Sequence, residues 1–374
     1  MDRLTRQNLR VCYVLAYRCP NYVRTLAILA ALTRIEGLAV SRAVNTHRGF
    51  YRYFQTIAKL LRVRFRENPD VYILGLRGFE IFWPVRLITR GKPLIFDQMM
   101  SPYDSLVNER CLFRRGGLLD KLTFAYERSL LRASDLVLTD TPLHRNYLSE
   151  LFGIPGSKIH AVPVSTDETL FLRPDPLPSS PPDEGLLHIL FYGSFLPLHG
   201  IPIILAAARG LSDQPVRFTL IGGERRGIRQ LEETMKNERL HNVVHRAWVD
   251  FDQLPGWIER ADLCLGGPFG DTGQGRRVIT GKTFQCLAMG KPTVVGEIEG
   301  NHGFIDRDNC LLVPQGDAEA LSRAILWALH HRDRLPVIGR RGQELYQRRY
   351  SIDCVKACLL NILAWGDKGM GETP

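Results

Sequence analysis

Residues 266–297 read GGPFGDTGQGRRVITGKTFQCLAMGKPTVVGE, the clearest statement of chemistry in the 374-residue chain. A short apolar strand, Leu263 to Leu265, runs into a loop holding Gly266, Gly267, Gly270, Gly273 and Gly275. The loop leads through Arg276 and Arg277 to Lys282, a helix is expected from Thr283 to Gly290, and Pro292 opens another apolar strand. Glycine lets a backbone approach a ligand closely, and a helix N-terminus aims unpaired N–H groups at it. The cations add charge, and Arg offers the forked donors that suit phosphate oxygens. A solvated basic turn would account for the charge alone. It has no reason to assemble strand, glycine loop, cations, helix, Ala-x-Gly-x-Pro and strand in that order, so the stretch reads as an anion site in an α/β fold.

The length suits two domains, and 45% hydrophobic with 24% charged residues is the composition of a globular protein with ample core. Eight cysteines are scattered without a C-x-x-C pair, which favours a reduced, cytoplasmic setting over a disulfide framework or zinc site. No run approaches the ~18 apolar residues of a spanning helix, and the N-terminus does not read as a signal peptide. Net charge is +10, unevenly placed: residues 1–134 hold 23 Lys plus Arg against 10 Asp plus Glu, or +13, leaving −3 for the remainder. A cationic half implies an anionic surface or acceptor. Nucleic acid is not expected, because no nucleic-acid motif accompanies the charge and the aromatics form no stacking pattern.

In chain order, strands are expected at Arg10–Ala16, Leu38–Val44, Val71–Leu74, Leu94–Phe96 and Asp135–Asp140, with helices between them. Phe50 to Arg66 reads as an amphipathic helix with Phe50, Phe54, Ile57, Leu60 and Leu61 on one face and Arg52, Lys59, Arg62, Arg64 and Arg66 mostly elsewhere. That pattern suits a membrane surface, or an apolar stripe packed on the sheet with solvated cations outside. The Pro-rich segment 173–185 reads as a linker between an N-terminal domain, 1–172, and a C-terminal domain, 186–345. The C-terminal segment, 346–374, is expected to hold a last helix near Ile352 to Trp365. In the second half, strands at His188–Tyr192 and Arg217–Ile221 end in glycine turns, Gly193-Ser194 and Gly222-Gly223, whose backbone N–H groups are available to a phosphate.

The segment FG…RRVITGKTFQCLAMGKPTVV resembles the donor-binding element of retaining GT-B glycosyltransferases of family 4. ASDLVLTDTPLHRNYL resembles that family's last N-domain unit, and FDQMMSPYDSLVNER a pattern of one of its subgroups. The resemblance implies two Rossmann-like, doubly wound α/β domains facing a central cleft, with the last helix packing back on the N-terminal domain. It implies transfer of a hexose-type sugar from a nucleoside diphosphate to a hydroxyl acceptor, a glycan or lipid-linked molecule, with the anomeric configuration retained. Lys282 takes the place of the phosphate-binding Lys and Gln285 that of the ribose-binding Glu. Ser194 and His199 stand where the family carries a diphosphate-gripping Arg and Lys, so Arg276 or Arg277 would supply the missing charge. Gly222, Gly223 and Trp248 would line the nucleotide. Asp97, Tyr103, Asp104 and Arg110 would line the cleft on the other side, with Asp104, Lys282 and Arg277 as the catalytic set. No metal and no cofactor besides the nucleotide sugar are expected, since fixed cations can stabilise a leaving diphosphate. An anionic membrane, on its inner cytoplasmic face, is an expected partner of the basic half. Two other readings stay open: a catalytically silent subunit of the same fold, raised by Ser194, His199 and Gln285, and a nucleotide-dependent oxidoreductase, which lacks a Gly-x-Gly-x-x-Gly after a strand.

Overall fold

The computed structural model describes residues 9–109, 112–173 and 185–368. The chain divides into two compact units, one of residues up to Ser165 together with those from Ile352 onward, the other Thr166–Ser351. The division comes at Ser165, ahead of the Pro-rich segment, of which 174–184 lie outside the described residues, as does Arg110.

The first unit runs β1 (Leu9–Leu15), α1 (Val23–Thr33), β2 (Leu38–Val44), α2 (Tyr51–Arg66), β3 (Val71–Leu74), α3 (Phe82–Ile88), β4 (Leu94–Asp97), α4 (Leu118–Ala133), β5 (Leu136–Thr139), α5 (Pro142–Phe152) and β6 (Ile159–Ala161). Its strands form one parallel sheet in the order β2-β1-β3-β4-β5-β6. The central strands are short apolar runs because both faces are covered. Tyr13, Ile73, Ile95 and Leu138 face the core shared with α1, while Val14, Leu74, Phe96 and Val137 face the core shared with α2 to α5. That alternation is the period-two signature of a strand.

The second unit runs α6 (Glu168–Phe171), β7 (Leu187–Gly193), α7 (Ile201–Gly210), β8 (Val216–Gly222), α8 (Arg225–Asn237), β9 (Val243–Arg246), α9 (Leu254–Arg260), β10 (Leu263–Leu265), α10 (Gly281–Ala288), β11 (Thr293–Gly296), β12 (Leu311–Val313), α11 (Ala318–His330) and α12 (Leu335–Arg349). Its parallel sheet is ordered β12-β11-β10-β7-β8-β9. The helix expected from Thr283 starts two residues earlier, at Gly281. The last helix, expected near Ile352 to Trp365, is α13 (Ile352–Lys368), while 346–349 of the C-terminal segment end α12. Ile352, Val355, Leu359 and Ile362 of α13 enter the core of the first unit beside α1. Both units are thus doubly wound α/β sheets.

Among the described residues no disulfide joins the cysteines, and no helix is long and apolar enough to cross a membrane.

One ion pair holds the first sheet's strand ends. Arg24 of α1 donates from Nη2 to Asp97 Oδ1 at 3.0 Å and from Nε to Oδ2 at 3.2 Å, with both side chains fully buried. The same guanidinium donates to the carbonyls of Thr139 at 3.1 Å and Pro163 at 3.0 Å, so it ties together the ends of β4, β5 and β6. Breaking a buried pair leaves the partner's charge uncompensated. We expect Asp97→Ala to lower unfolding free energy by about 3–5 kcal/mol, read as a shift in the urea midpoint; a shift below ~1 kcal/mol would mean that Arg24 finds compensation elsewhere.

Candidate functional site

In an open α/β sheet, ligands bind beyond the carboxyl ends of the strands where the winding direction reverses. In the second unit that reversal lies between β7 and β10, which are neighbours in the sheet. The two loops that leave those strand ends are 194–200 and 266–280, the turn and the glycine loop singled out in the sequence.

Gly193 closes β7 with φ +152°, and a Cβ there would stand 3.1 Å from His199 Cε1, 3.3 Å from His199 Nδ1 and 3.4 Å from Lys282 Cε. The imidazole and the lysine stem therefore crowd the place of the missing side chain, and only glycine suits the position. Gly222 ends β8 opposite Gly193, and Gly223 donates its N–H to the Gly193 carbonyl at 2.9 Å. The structure thus brings Gly193, Gly222, Gly223, His199 and Lys282 together, with half-buried Ser194 in the same turn.

Lys282 is the second residue of α10 and is buried. Its Nζ lies 4.9 Å from the centroid of the Phe191 ring, and among the described residues no oxygen accepts a hydrogen bond from it. Burial pushes its pKa down to about 7. His199 is depressed well below the ordinary imidazole range, first by burial and then by Lys282. Its Nδ1 accepts from the Leu196 N–H at 3.3 Å, which places the single proton of the neutral ring on Nε2. His199 therefore supplies a dipole here, and the group able to carry full charge is Lys282.

Gln285, one turn further along α10, is also buried, and its Oε1 accepts from the Tyr192 hydroxyl at 2.7 Å. The glycine loop is clamped. Thr280 Oγ1 donates to the Gly266 carbonyl at 2.6 Å, and Gln315 Nε2 donates to the carbonyls of Gly275 at 3.0 Å and Glu297 at 2.8 Å. Gln315 was not singled out in the sequence; its signal is the polar turn that follows the apolar strand β12. Arg277 is half-buried on this loop, whereas Arg276 is exposed and paired with Asp271 at 2.6 Å. That pair is exposed on both sides, so it orients Arg276 on the loop without neutralising it firmly. Trp248, in the loop after β9, is 71% exposed. Two Asp-x-Asp triplets occur in the sequence, at Asp250–Asp252 and Asp306–Asp308, but among the described residues no three His, Cys, Asp or Glu side chains converge as a metal site.

The remaining sequence candidates belong to the first unit and collect beyond β4. Asp97 is committed to Arg24. Tyr103 sets its ring edge-on to Phe124 and Phe152, and Asp104, on a π-helical turn, accepts from Tyr147 Oη at 2.5 Å and Asn108 Nδ2 at 2.6 Å. Sequence reasoning missed Glu127 of α4, which receives the Gln98 amide at 2.5 Å, the Ser101 hydroxyl at 3.0 Å and the Tyr103 N–H at 2.8 Å. Burial raises its pKa to about 7. Its signal was a carboxylate three and four residues before the apolar pair Leu130-Leu131, hence on the inward face of an amphipathic helix. His144 Nδ1 lies 2.7 Å from Asp140 Oδ1 just beyond β5, both side chains buried.

Residues 187–331, less than half of the chain, match the family model described as glycosyl transferases group 1. No curated protein matches. Among solved structures, HepE of Anabaena in complex with UDP and glucose is 14% identical with a TM-score of 0.71, the alignment covering 95% of this chain and 99% of that one. HepE has also been solved with UDP-glucose. Sucrose-phosphate synthase of Thermosynechococcus elongatus is 17% identical over 96% and 98% of the two chains, with a TM-score of 0.71. A glycosyltransferase of Rickettsia africae is 14% identical over 98% and 100%, with a TM-score of 0.69. The chain has the GT-B fold of these proteins.

The depressed pKa of Lys282 has a stability consequence. Between its folded value near 7 and the ordinary lysine value of 10.5, the unfolded chain binds the extra proton, so stability rises with pH across that window. Below it the buried ammonium is a full cost to the fold. Lys282→Met is therefore expected to melt higher than the unsubstituted protein at pH 6, the gap narrowing as pH climbs toward 10. A gap of constant size in a pH series of melting curves would show that the amine is solvated.

Proposed function

We propose that this protein is a retaining, metal-independent glycosyltransferase that moves a hexose-type sugar from a nucleoside diphosphate to a hydroxyl acceptor. The observation that carries the reading is Lys282, a buried amine without a counter-charge, set between two glycine turns at the switch point of the second sheet. A diphosphate supplies the missing charge. When it enters, the amine takes a proton and donates to phosphate oxygens, and backbone N–H groups at Gly193 and Ser194 add neutral donors. The match to glycosyl transferases group 1 and the UDP and UDP-glucose complexes of HepE support this assignment.

In the reaction the bond from the anomeric carbon to the diphosphate breaks, the diphosphate keeps the electron pair, and the acceptor oxygen bonds to the same face of the carbon. The acceptor proton leaves to the departing phosphate or to water. Charge grows on the leaving diphosphate as the bond lengthens, so a fixed cation in a water-poor site lowers the barrier. Lys282 has that role, assisted by Arg277, and Gln285 offers an acceptor oxygen to a ribose hydroxyl if Tyr192 yields it. The acceptor, a glycan or a lipid-linked molecule, is assigned to the basic first unit, where Tyr103 and Asp104 are candidates for contact.

A panel of UDP, GDP and ADP sugars, followed by calorimetry and by product analysis, tests the reading. A charge-assisted hydrogen bond contributes about 1.5–3 kcal/mol, so Lys282→Ala should weaken nucleoside diphosphate binding by about tenfold or more. Equal affinity in the folded variant would remove Lys282 from the site. Binding without transfer or hydrolysis of any donor would favour a silent subunit, a reading that the neutral His199 keeps open.

A further inference from the structure

Seventeen large hydrophobic side chains are exposed among the described residues, and twelve of them fall between Phe50 and Tyr126 of the first unit. They belong largely to one layer. α2, α3 and α4 pack on the same face of the sheet, α2 contacts α3, and Tyr126 of α4 donates to the Phe79 carbonyl just before α3 at 2.6 Å. On α2 the inward residues are Thr56, Leu60 and Val63, whereas Phe54, Ala58, Leu61 and Phe65 recur at helical spacing on the opposite side. Phe54 is 62% and Phe65 82% exposed. The apolar stripe that the sequence allowed to pack on the sheet is therefore split: Leu60 goes inward and Phe54 and Leu61 go out. Trp83 and Leu87 on α3 and Leu118 and Leu122 on α4 extend the outward surface.

The charge on this layer has one sign. α2 and α3 contain no Asp or Glu, and the two carboxylates of α4, Asp120 and Glu127, are buried. Arg62 and Arg66 stand exposed on the border of the α2 stripe, joined by Arg90 and Lys121. Lys59, which the sequence put with them, is half-buried and donates to the Val44 carbonyl at 2.7 Å.

We propose that the outward side of the α2–α3–α4 layer docks on an anionic lipid bilayer. Aromatic and aliphatic side chains enter the headgroup boundary while the bordering arginines and lysine meet lipid phosphates. Charge selects this occupant. A second copy seated symmetrically would bring Arg62 and Arg66 against their own kind, and like charges across an interface are unfavourable. The lipid-linked acceptor considered above would be met at such a surface, but docking does not depend on glycosyl transfer.

Co-sedimentation with vesicles tests the proposal on the full chain. The protein should pellet with phosphatidylglycerol-containing vesicles at low salt, not with phosphatidylcholine alone, and added salt should release it. The pair Arg62→Glu and Arg66→Glu should lower the partition by about tenfold or more, the loss that two interfacial cations predict. Phe54→Ser with Phe65→Ser should lower it as well, with melting temperatures unchanged because all four side chains are exposed. Equal recovery with neutral and anionic vesicles, no binding at low salt, or variants that bind as well as the parent would overturn the proposal. So would a dimer in light scattering that the Phe variants dissociate. If vesicles bind as expected while no nucleotide does, the donor-site reading fails alone.

Discussion

Burying a lysine with no anion beside it makes its ammonium form costly, and the proposed donor site is built around that cost at Lys282. The sheet places it there. Winding reverses between β7 and β10, and the loops that leave those strand ends pack on each other there, Gly270 donating its N–H to the Leu198 carbonyl at 3.0 Å. α10 then starts at Gly281 with Lys282 in its first turn, and Gly193 supplies no side chain to fill the space that His199 and the lysine stem take. A missing Cβ, a neutral histidine and a buried amine are consequences of one arrangement.

The two units treat buried charge in opposite ways. In the first, Arg24 is matched by Asp97 at the end of β4 and saturated by carbonyls at the ends of β5 and β6, so it needs nothing from outside. Glu127 is likewise enclosed by three donors that fix the segment between Gln98 and Tyr103. Those groups build a frame. Lys282 is the reverse case, a charge-capable group with its neighbours arranged and its counter-ion absent from the protein. That asymmetry is why the reaction's charge stabilisation is assigned to the second unit.

The fold class, and the glycine loop on which the proposed donor site rests, were legible where sequence pattern and physical cause coincide. Parallel strands buried on both faces read as short apolar runs such as LVLT at Leu136–Thr139, and the glycine loop before Lys282 announces a close backbone approach. Contacts distant in sequence were not legible. Asp97 looks like a cleft carboxylate until Arg24, 73 residues earlier, is seen to take both of its oxygens. Periodicity showed that α2 has an apolar stripe but could not say which part faces the sheet, because helical spacing fixes relative directions and not the orientation of the whole helix.

The central claim is that Lys282 waits largely uncharged at slightly alkaline pH and is protonated by the arrival of a diphosphate. Calorimetric titration with UDP at pH 8, repeated in buffers of different ionisation enthalpy, counts protons directly. With a pKa near 7 in the empty site, the account expects close to one proton taken up per UDP bound at pH 8 and much less at pH 6. UDP that binds with the same affinity at both pH values and exchanges no proton at either would contradict it.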